Sequence, residues 1–403
     1  MTDWARTKTV ILIPQFFREG PTRQALLLAR ELKGRYGLDV EVWALFYSGE
    51  CQKEFESAAL PTRVLDFLRP QCPVKAVRVW YWVMRLFRIV RELRKHHVAV
   101  LLPMTSWPNV IAGLTYRLAG ARLCIWGERS SGADRANMER LALRQYRSFT
   151  ANSTAGVDFL TAEMAVARSW ISFVPNAVEE PQPAISNDWR LRLGIASDQL
   201  LVLKVANITR YRDHVTLLHA WKIVQDAWQD AAKPILVLAG ALGDTFREVQ
   251  RIGREAALDS TVRFVGSVPN VSSLVDAADL TVFSSRKEGM PNSVLEYMVG
   301  EKAVVATDLP GIRDALGPSA DEVVAPAGDA EELASRILDL LRDRKRREAL
   351  GQANKRRALS EFTVGRMVEG YLRLMEEHLR PFAPEVRPSI PSGCPPELSE
   401  GNT

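Results

Sequence analysis

The stretch "SSRKEGMPNSVLEYM", residues 284–298, follows without a break on the apolar run "LTVF" of residues 280–283. A short apolar run closed by polar turn residues reads as a buried strand, and the segment after Gly289 reads as a helix. Pro291 suits the first turn of that helix, which starts near Pro291 or Asn292, and Gly289 suits a tight backbone approach. A helix start leaves backbone N–H groups unpaired and carries the positive end of the macrodipole, so this turn is a place where an anion sits well. Glu288 then lies at the carboxyl end of the strand. Glu296 lies about one turn into the helix, where its carboxylate accepts hydrogen bonds from ligand hydroxyls. The plainer alternative is a capped helix carrying two surface glutamates.

The same alternation of strand and helix fills the chain, which is how a doubly wound parallel α/β sheet reads. Strands are expected at 10–14, 40–46, 98–103, 122–126, 148–152 and 171–176, and again at 201–207, 235–240, 262–266, 280–285, 302–308 and 322–326. Between the two sets, "NAVEEPQPAISND" (176–188) has two prolines and no apolar periodicity, as a linker would. A length of 403 residues also exceeds what one core usually serves. The expected domains are 1–177 and 191–360, joined by a linker at 178–190. A helix at 361–380 packs back on the first domain, and the proline-rich tail, 381–403, is too poor in apolar residues to order. Ligands of open parallel sheets bind at the carboxyl ends of the strands, so chemistry is expected in a cleft between the domains.

Composition narrows the class. A 47% apolar, 25% charged chain is globular, and no apolar run approaches the ~18 residues of a membrane span. The first apolar segment, "VILIPQFF" from Val10, is too short for a signal-peptide core, and a cytoplasmic location is the simplest expectation. The four cysteines are scattered without a C-x-x-C pair, and the five histidines show no metal-binding spacing, so neither a disulfide framework nor a zinc site is expected. The net charge of +5 suits nucleic acid, anionic lipid or a phosphorylated small molecule. Basic and acidic residues interleave on the expected helices and no binding motif is found, which argues against nucleic acid.

"SSRKEGMPNSVLEYMVGEKAVVATDLPG" (284–311) resembles the nucleotide-sugar-binding segment of retaining glycosyltransferases of family 4, whose pattern runs S-x-x-E-G-x-P-x-x-x-x-E-A-x-x-x-G-x-P-V-V-A-T. "FVPNAV" (173–178) and "VRFVGSVPNVSSLVDAADLTVFSS" (262–285) resemble further family segments, and similarity extends over about residues 8–380. The resemblance implies the GT-B fold, two Rossmann-like domains facing a central cleft, and a nucleoside diphosphate sugar such as a UDP-sugar as donor substrate, with no cofactor and no metal. It implies that Glu288 contacts the donor sugar and Glu296 the ribose, and that Gly289, Met290, Pro291 and Asn292 hold the diphosphate. Gly266 and Val268 would lie beside the nucleobase.

Departures from the family pattern fall on the other donor contacts. Where an arginine and a lysine usually meet the diphosphate, this chain has "VANITRYRDHVTLLHA" (205–220). Asn207 takes the first cation's place, Arg212 fills the lysine's, and Arg210 substitutes for the other. Arginine for lysine keeps the charge and adds a planar fork. Of the family's two glycines in the first domain only Gly20 stands here, followed by Pro21, and Ala177 replaces a usual glycine.

Lys75 to Lys95 sets Arg78, Arg85, Arg88 and Lys95 on one side of a helix and Val79, Val83, Leu86, Phe87 and Val90 on the other. Such a helix lies on anionic lipid or packs as an ordinary domain helix. The expected activity is transfer of a sugar to a hydroxyl acceptor, a glycan or a lipid-linked group in polysaccharide biosynthesis, with peripheral contact at the inner membrane face. Glu288 and Arg212 carry the catalytic expectation. A GT-B nucleotide-sugar epimerase and a non-catalytic scaffold with decayed donor contacts are the alternatives.

Overall fold

The computed structural model describes residues 7–67, 74–129, 136–181 and 188–379. Residues 182–187 of the expected linker, and the tail expected to be disordered, lie outside the described residues.

In the first domain the strands are β1 (Thr9–Gln15), β2 (Val40–Tyr47), β3 (Thr62–Val64), β4 (Val100–Pro103) and β5 (Leu123–Cys124), in the spatial order β3-β2-β1-β4-β5. A three-stranded sheet of β6 (Trp126–Glu128), β7 (Phe149–Ala151) and β8 (Ile171–Phe173) follows directly on β5. Every pairing is parallel. Val10, Ile11, Leu12 and Ile13 of β1 are all buried, as a strand covered by helices on both faces requires. The covering helices are α1 (Gly20–Gly34), α2 (Gln52–Ser57), α3 (Lys75–Lys95), α4 (Ser106–Ala119), α5 (Ala136–Leu143) and α6 (Thr154–Asp158). Strand β3 was not expected, because its three half-buried residues, Thr-Arg-Val, carry no apolar pattern.

The second domain runs α7 (Trp189–Arg192), β9 (Leu201–Val205), α8 (His214–Ala227), β10 (Ile235–Ala239), α9 (Phe246–Glu255), β11 (Val262–Gly266), α10 (Val271–Ala277), β12 (Leu280–Phe283), α11 (Asn292–Val299), β13 (Val304–Thr307), α12 (Pro310–Leu316), α13 (Ala320–Val323), β14 (Val324–Ala325), α14 (Ala330–Arg342) and α15 (Arg344–Glu361). Its six parallel strands lie in the order β11-β10-β9-β12-β13-β14. The order reverses between β9 and β12, and such a switch point opens a crevice at the strand ends. The final helix, α16 (Val364–Leu379), buries Met367, Val368, Tyr371, Leu374 and Met375 in the core formed by β1, β2 and α1. The chain therefore leaves the first domain near Val178 and returns at Phe362, where the Val178 N–H donates to the Phe362 carbonyl at 2.8 Å.

Helix α3 is rotated relative to its expected faces. Its inward side holds Ile89, Val90 and Leu93, with Trp82 and Leu86 packed against the same core, while Val79, Val83 and Phe87 face solvent. Arg85 does not project: it donates to the Asp66 carbonyl at 2.7 Å and to the Tyr81 hydroxyl. A hundred degrees per residue describes the helix correctly, but seven basic residues and a mostly apolar remainder leave two faces to choose from. Contact with Phe67 and Trp107 decides between them.

Candidate active site

The carboxyl ends of β9 and β12 lie side by side, and the loops leaving them are tied together by a lysine. Lys204 is fully buried in β9 and donates to the Ser284 carbonyl at 2.9 Å, to Ser284 Oγ at 2.6 Å and to the Arg212 carbonyl. Burial first, and the neighbouring Arg212 second, hold its pKa well below the usual lysine value. Ser284 Oγ in turn donates to the Asp213 carbonyl at 2.8 Å, and Ser285 Oγ donates to the Tyr211 carbonyl at 2.9 Å. The turn at 210–213 is thereby clamped against the end of β12.

That clamp sets the guanidinium of Arg212 against the carboxylate of Glu288, an ion pair in which both side chains are largely covered. Glu288 also accepts from Ser285 Oγ at 3.3 Å. Phe283 and Tyr211 flank the Arg212 guanidinium, 5.7 and 5.1 Å from their ring centroids. The turn needs a left-handed residue, and Asp213 takes it with a φ of +42°. Its carboxylate caps α8 by accepting the Thr216 N–H at 3.4 Å and also accepts from the Thr216 hydroxyl at 2.9 Å. His214, next along, is buried with neither ring nitrogen hydrogen-bonded, and burial, Lys204 and Arg212 push its pKa down to about 2. A neutral imidazole therefore lies under the loop, not a third cation.

Helix α11 begins at Asn292, as its proline and glycine predicted, with Pro291 at the N-cap. Met290 is buried. Glu296 is mostly covered, and burial raises its pKa to about 7, opposed by the charge of Arg23. Tyr297 beside it accepts from the Val205 N–H, and Ser293 Oγ donates to the Val205 carbonyl at 2.8 Å, so the helix is locked to β9.

The first domain closes on this site from the other side. Gly20 is the first residue of α1, with Pro21 in the same turn, and the Gly20 carbonyl accepts from Asn292 Nδ2 at 3.3 Å. Asn176 donates to the Met290 carbonyl and to Asn292 Oδ1, both at 2.8 Å. Gln24 bridges the Ala177 backbone and Asn292, so alanine at 177 leaves the junction intact. A Cβ on Gly289 would lie 2.6 Å from the Arg129 carbonyl and 2.7 Å from Asn152 Oδ1, which is why only glycine fits there. Farther along the cleft Arg18 donates to the Pro269 carbonyl at 3.1 Å. That contact places the 266–269 loop at the domain boundary. Gly266 opens it with a φ of +70°, and Val268 is buried behind it.

Two expected site residues behave differently. Asn207 accepts the Ala241 N–H at 3.0 Å and so braces the loop after β10 with its amide oxygen. Arg210 is exposed at the rim of the turn. The remaining ten, Gly20, Arg212, Gly266, Val268, Glu288, Gly289, Met290, Pro291, Asn292 and Glu296, fall on the cleft-facing loops and helix starts just described. Lys204, Tyr297, Asn176, Gln24 and Arg129 were missed. Asn176 and Tyr297 stand inside the quoted stretches 173–178 and 284–298, and the lysine carried a signal of its own, a single charge inside the apolar strand "LVLKV".

Residues 186–357 match the family model described as Glycosyl transferases group 1. With two parallel α/β domains facing a cleft, the chain is a glycosyltransferase of the GT-B fold. It is 25% identical over 382 residues to the 2-deoxystreptamine N-acetyl-D-glucosaminyltransferase of Streptomyces fradiae, spanning 86% of this chain and 89% of that one. It is also 28% identical over 167 residues to the N,N'-diacetylbacillosaminyl-diphospho-undecaprenol alpha-1,3-N-acetylgalactosaminyltransferase of Campylobacter jejuni, covering 39% of this chain and 44% of that enzyme. Among solved structures, Anabaena HepE in complex with UDP and glucose superposes with a TM-score of 0.78 at 16% identity, over 92% of this chain and all of that one.

Proposed function

We propose that this protein is a retaining glycosyltransferase that moves a sugar from a nucleoside diphosphate sugar to a hydroxyl acceptor. The observation that carries the proposal is the Arg212–Glu288 pair set beside the start of α11, with the carboxyl of Glu296 on the same helix. The donor diphosphate lies against the unpaired N–H groups of α11 and takes Arg212 as its cation, with Arg210 at the rim. Each cation about 4 Å from a phosphate contributes on the order of 4 kcal/mol at an effective dielectric of ~20, before desolvation. The diphosphate competes with Glu288 for Arg212, and any shift of the guanidinium toward the phosphates frees the carboxylate for the donor sugar.

During transfer the bond from the anomeric carbon to the phosphate oxygen breaks and its electrons leave with the nucleotide. Arg212, Arg210 and the helix N-terminus stabilise that developing charge, with no divalent metal in the reading. The acceptor oxygen bonds to the anomeric carbon from the same face, and its proton passes to the departing phosphate oxygen. Glu296 accepts hydrogen bonds from the ribose hydroxyls.

The acceptor is a glycan or a lipid-linked group, and peripheral contact with the inner membrane face belongs to the same reading. The Campylobacter jejuni relative, whose acceptor is a diphospho-undecaprenol-linked sugar, supports it. Among the described residues no helix is long and apolar enough to cross a membrane.

A thermal-shift panel of UDP, GDP, ADP and CMP, with and without magnesium, tests the donor site. A ligand at 100 times its dissociation constant adds about 2.7 kcal/mol of stability. One diphosphate should stabilise the protein without metal, Glu296→Ala should weaken that response, and Glu288→Ala should keep binding while losing turnover. Unchanged turnover in both variants sinks the site assignment, and no response to any nucleotide favours a scaffold.

A further inference from the structure

We propose that the outward face of α3 docks the protein on an anionic bilayer, inserting Val77, Trp80, Met84 and Phe87 between flanking arginines. Spacings of three, four and three residues stack these four side chains in one stripe, on the side of the helix opposite its buried face. They are 45%, 64%, 48% and 64% exposed. The helix thus has two apolar faces, one spent on the domain core and one left in water. An apolar stripe of this kind on a monomer marks an interaction surface.

Charge selects the partner. Arg78, Arg88, Arg91 and Lys95 are exposed around the stripe, and the single carboxylate of the helix, Glu92, is paired with Arg63 at 3.3 Å. A large aromatic and aliphatic stripe flanked by cations, with no acid on that face, is the pattern of a helix lying in a bilayer interface. A second copy of the chain fits poorly, because pairing the same faces would bring four cations against four with no carboxylate between them.

The placement has a consequence for the reaction. From the inner side of α3 a run of touching rings leads toward the cleft: Trp82 contacts Trp107 at 5.3 Å between centroids, Trp107 contacts Phe46 at 6.4 Å, Phe46 contacts Tyr47 at 6.4 Å, and Tyr47 contacts Phe17 at 6.3 Å. Phe17 and Tyr47 stand at the carboxyl ends of β1 and β2, where the first domain faces the cleft. The helix that lies on the bilayer is thus packed, through these rings, onto the strand ends that face the acceptor side of the cleft.

Co-sedimentation of the full chain with phosphatidylcholine vesicles, with and without phosphatidylglycerol, tests this. No nucleotide is present, so the result is independent of the donor-site reading. The protein should sediment with the anionic vesicles, less so at high salt. Trp80→Ser/Phe87→Ser should weaken partitioning at least about tenfold. Arg88→Gln/Arg91→Gln should weaken it with little change in melting temperature, and Leu191→Ser, an exposed apolar change on the second domain, should leave it alone. Failure of the wild type to sediment with anionic vesicles overturns the proposal. So does equal sedimentation of the Trp80/Phe87 variant, or a wild-type dimer in sedimentation velocity that this variant dissociates.

Discussion

Glu296 is a carboxyl that burial on α11 disfavours in its charged form. Burial raises its pKa from the ordinary 4.5 to about 7, so its charged form is disfavoured in the empty fold. An acid whose folded pKa lies above its unfolded one binds a proton on folding, and its contribution to stability declines as pH rises from 4.5 to about 7. Glu296→Gln removes that decline. The unliganded variant should gain in melting temperature relative to wild type between about pH 5 and about pH 8, while its nucleotide response falls. A difference in melting temperature that does not change with pH would show that Glu296 is solvated and ordinary. Glu288 is the contrasting case, since Arg212 supplies the opposite charge within the protein itself.

Helix α11 owes its position to glycines where neighbours come too close for a side chain. A Cβ on Gly311, in the first turn of α12, would stand 1.7 Å from the Gly289 carbonyl, and one on Gly289 would meet the Arg129 carbonyl. Neither obstacle is the end of a flexible side chain, so backbone must shift. Gly311→Ala should cost roughly 1–3 kcal/mol, as overpacking does, read as a lower melting temperature. It should also weaken nucleotide binding, because it displaces the turn that opens α11. Gly20→Ala makes a useful contrast. Its Cβ would lie 3.6 Å from Asn292 Nδ2, ordinary contact, and its stability should stay within about 0.5 kcal/mol of wild type. Gly311 ends the quoted stretch 284–311 and Gly20 stands at a glycine of the family pattern, and only neighbours from elsewhere in the chain distinguish them.

The two domains meet through a small polar junction and not through a shared core. Asn176 joins Met290 and Asn292 of the second domain to Asn152 and Arg129 of the first. Thr154 at the start of α6 donates its N–H to Asp314 of α12 at 2.6 Å. Polar junctions of this size permit relative motion of domains. Asn176→Ala leaves buried groups without partners, at about 1–3 kcal/mol. It should lower the melting temperature and open the cleft, seen as a larger radius of gyration in X-ray scattering. An unchanged radius with lowered stability would assign Asn176 a role inside the first domain alone.

Much of this protein was legible in its order of residues. Alternating apolar runs and helical periods located nearly every strand, since a parallel strand covered on both faces must be apolar throughout. The proline and glycine around Met290 located the start of α11, since backbone geometry there is a local matter. Strand β3 escaped because an edge strand of Thr-Arg-Val need not be apolar. Tertiary packing alone turned Phe87 outward and Arg85 back on Asp66, because a helix with two apolar faces does not specify which one meets its sheet. It alone gave Asn207 to the Ala241 backbone and buried Lys204 beneath the turn that carries Arg212. Those outcomes depend on groups distant in sequence competing for the same hydrogen bonds and the same space. Composition and spacing carry no record of that competition.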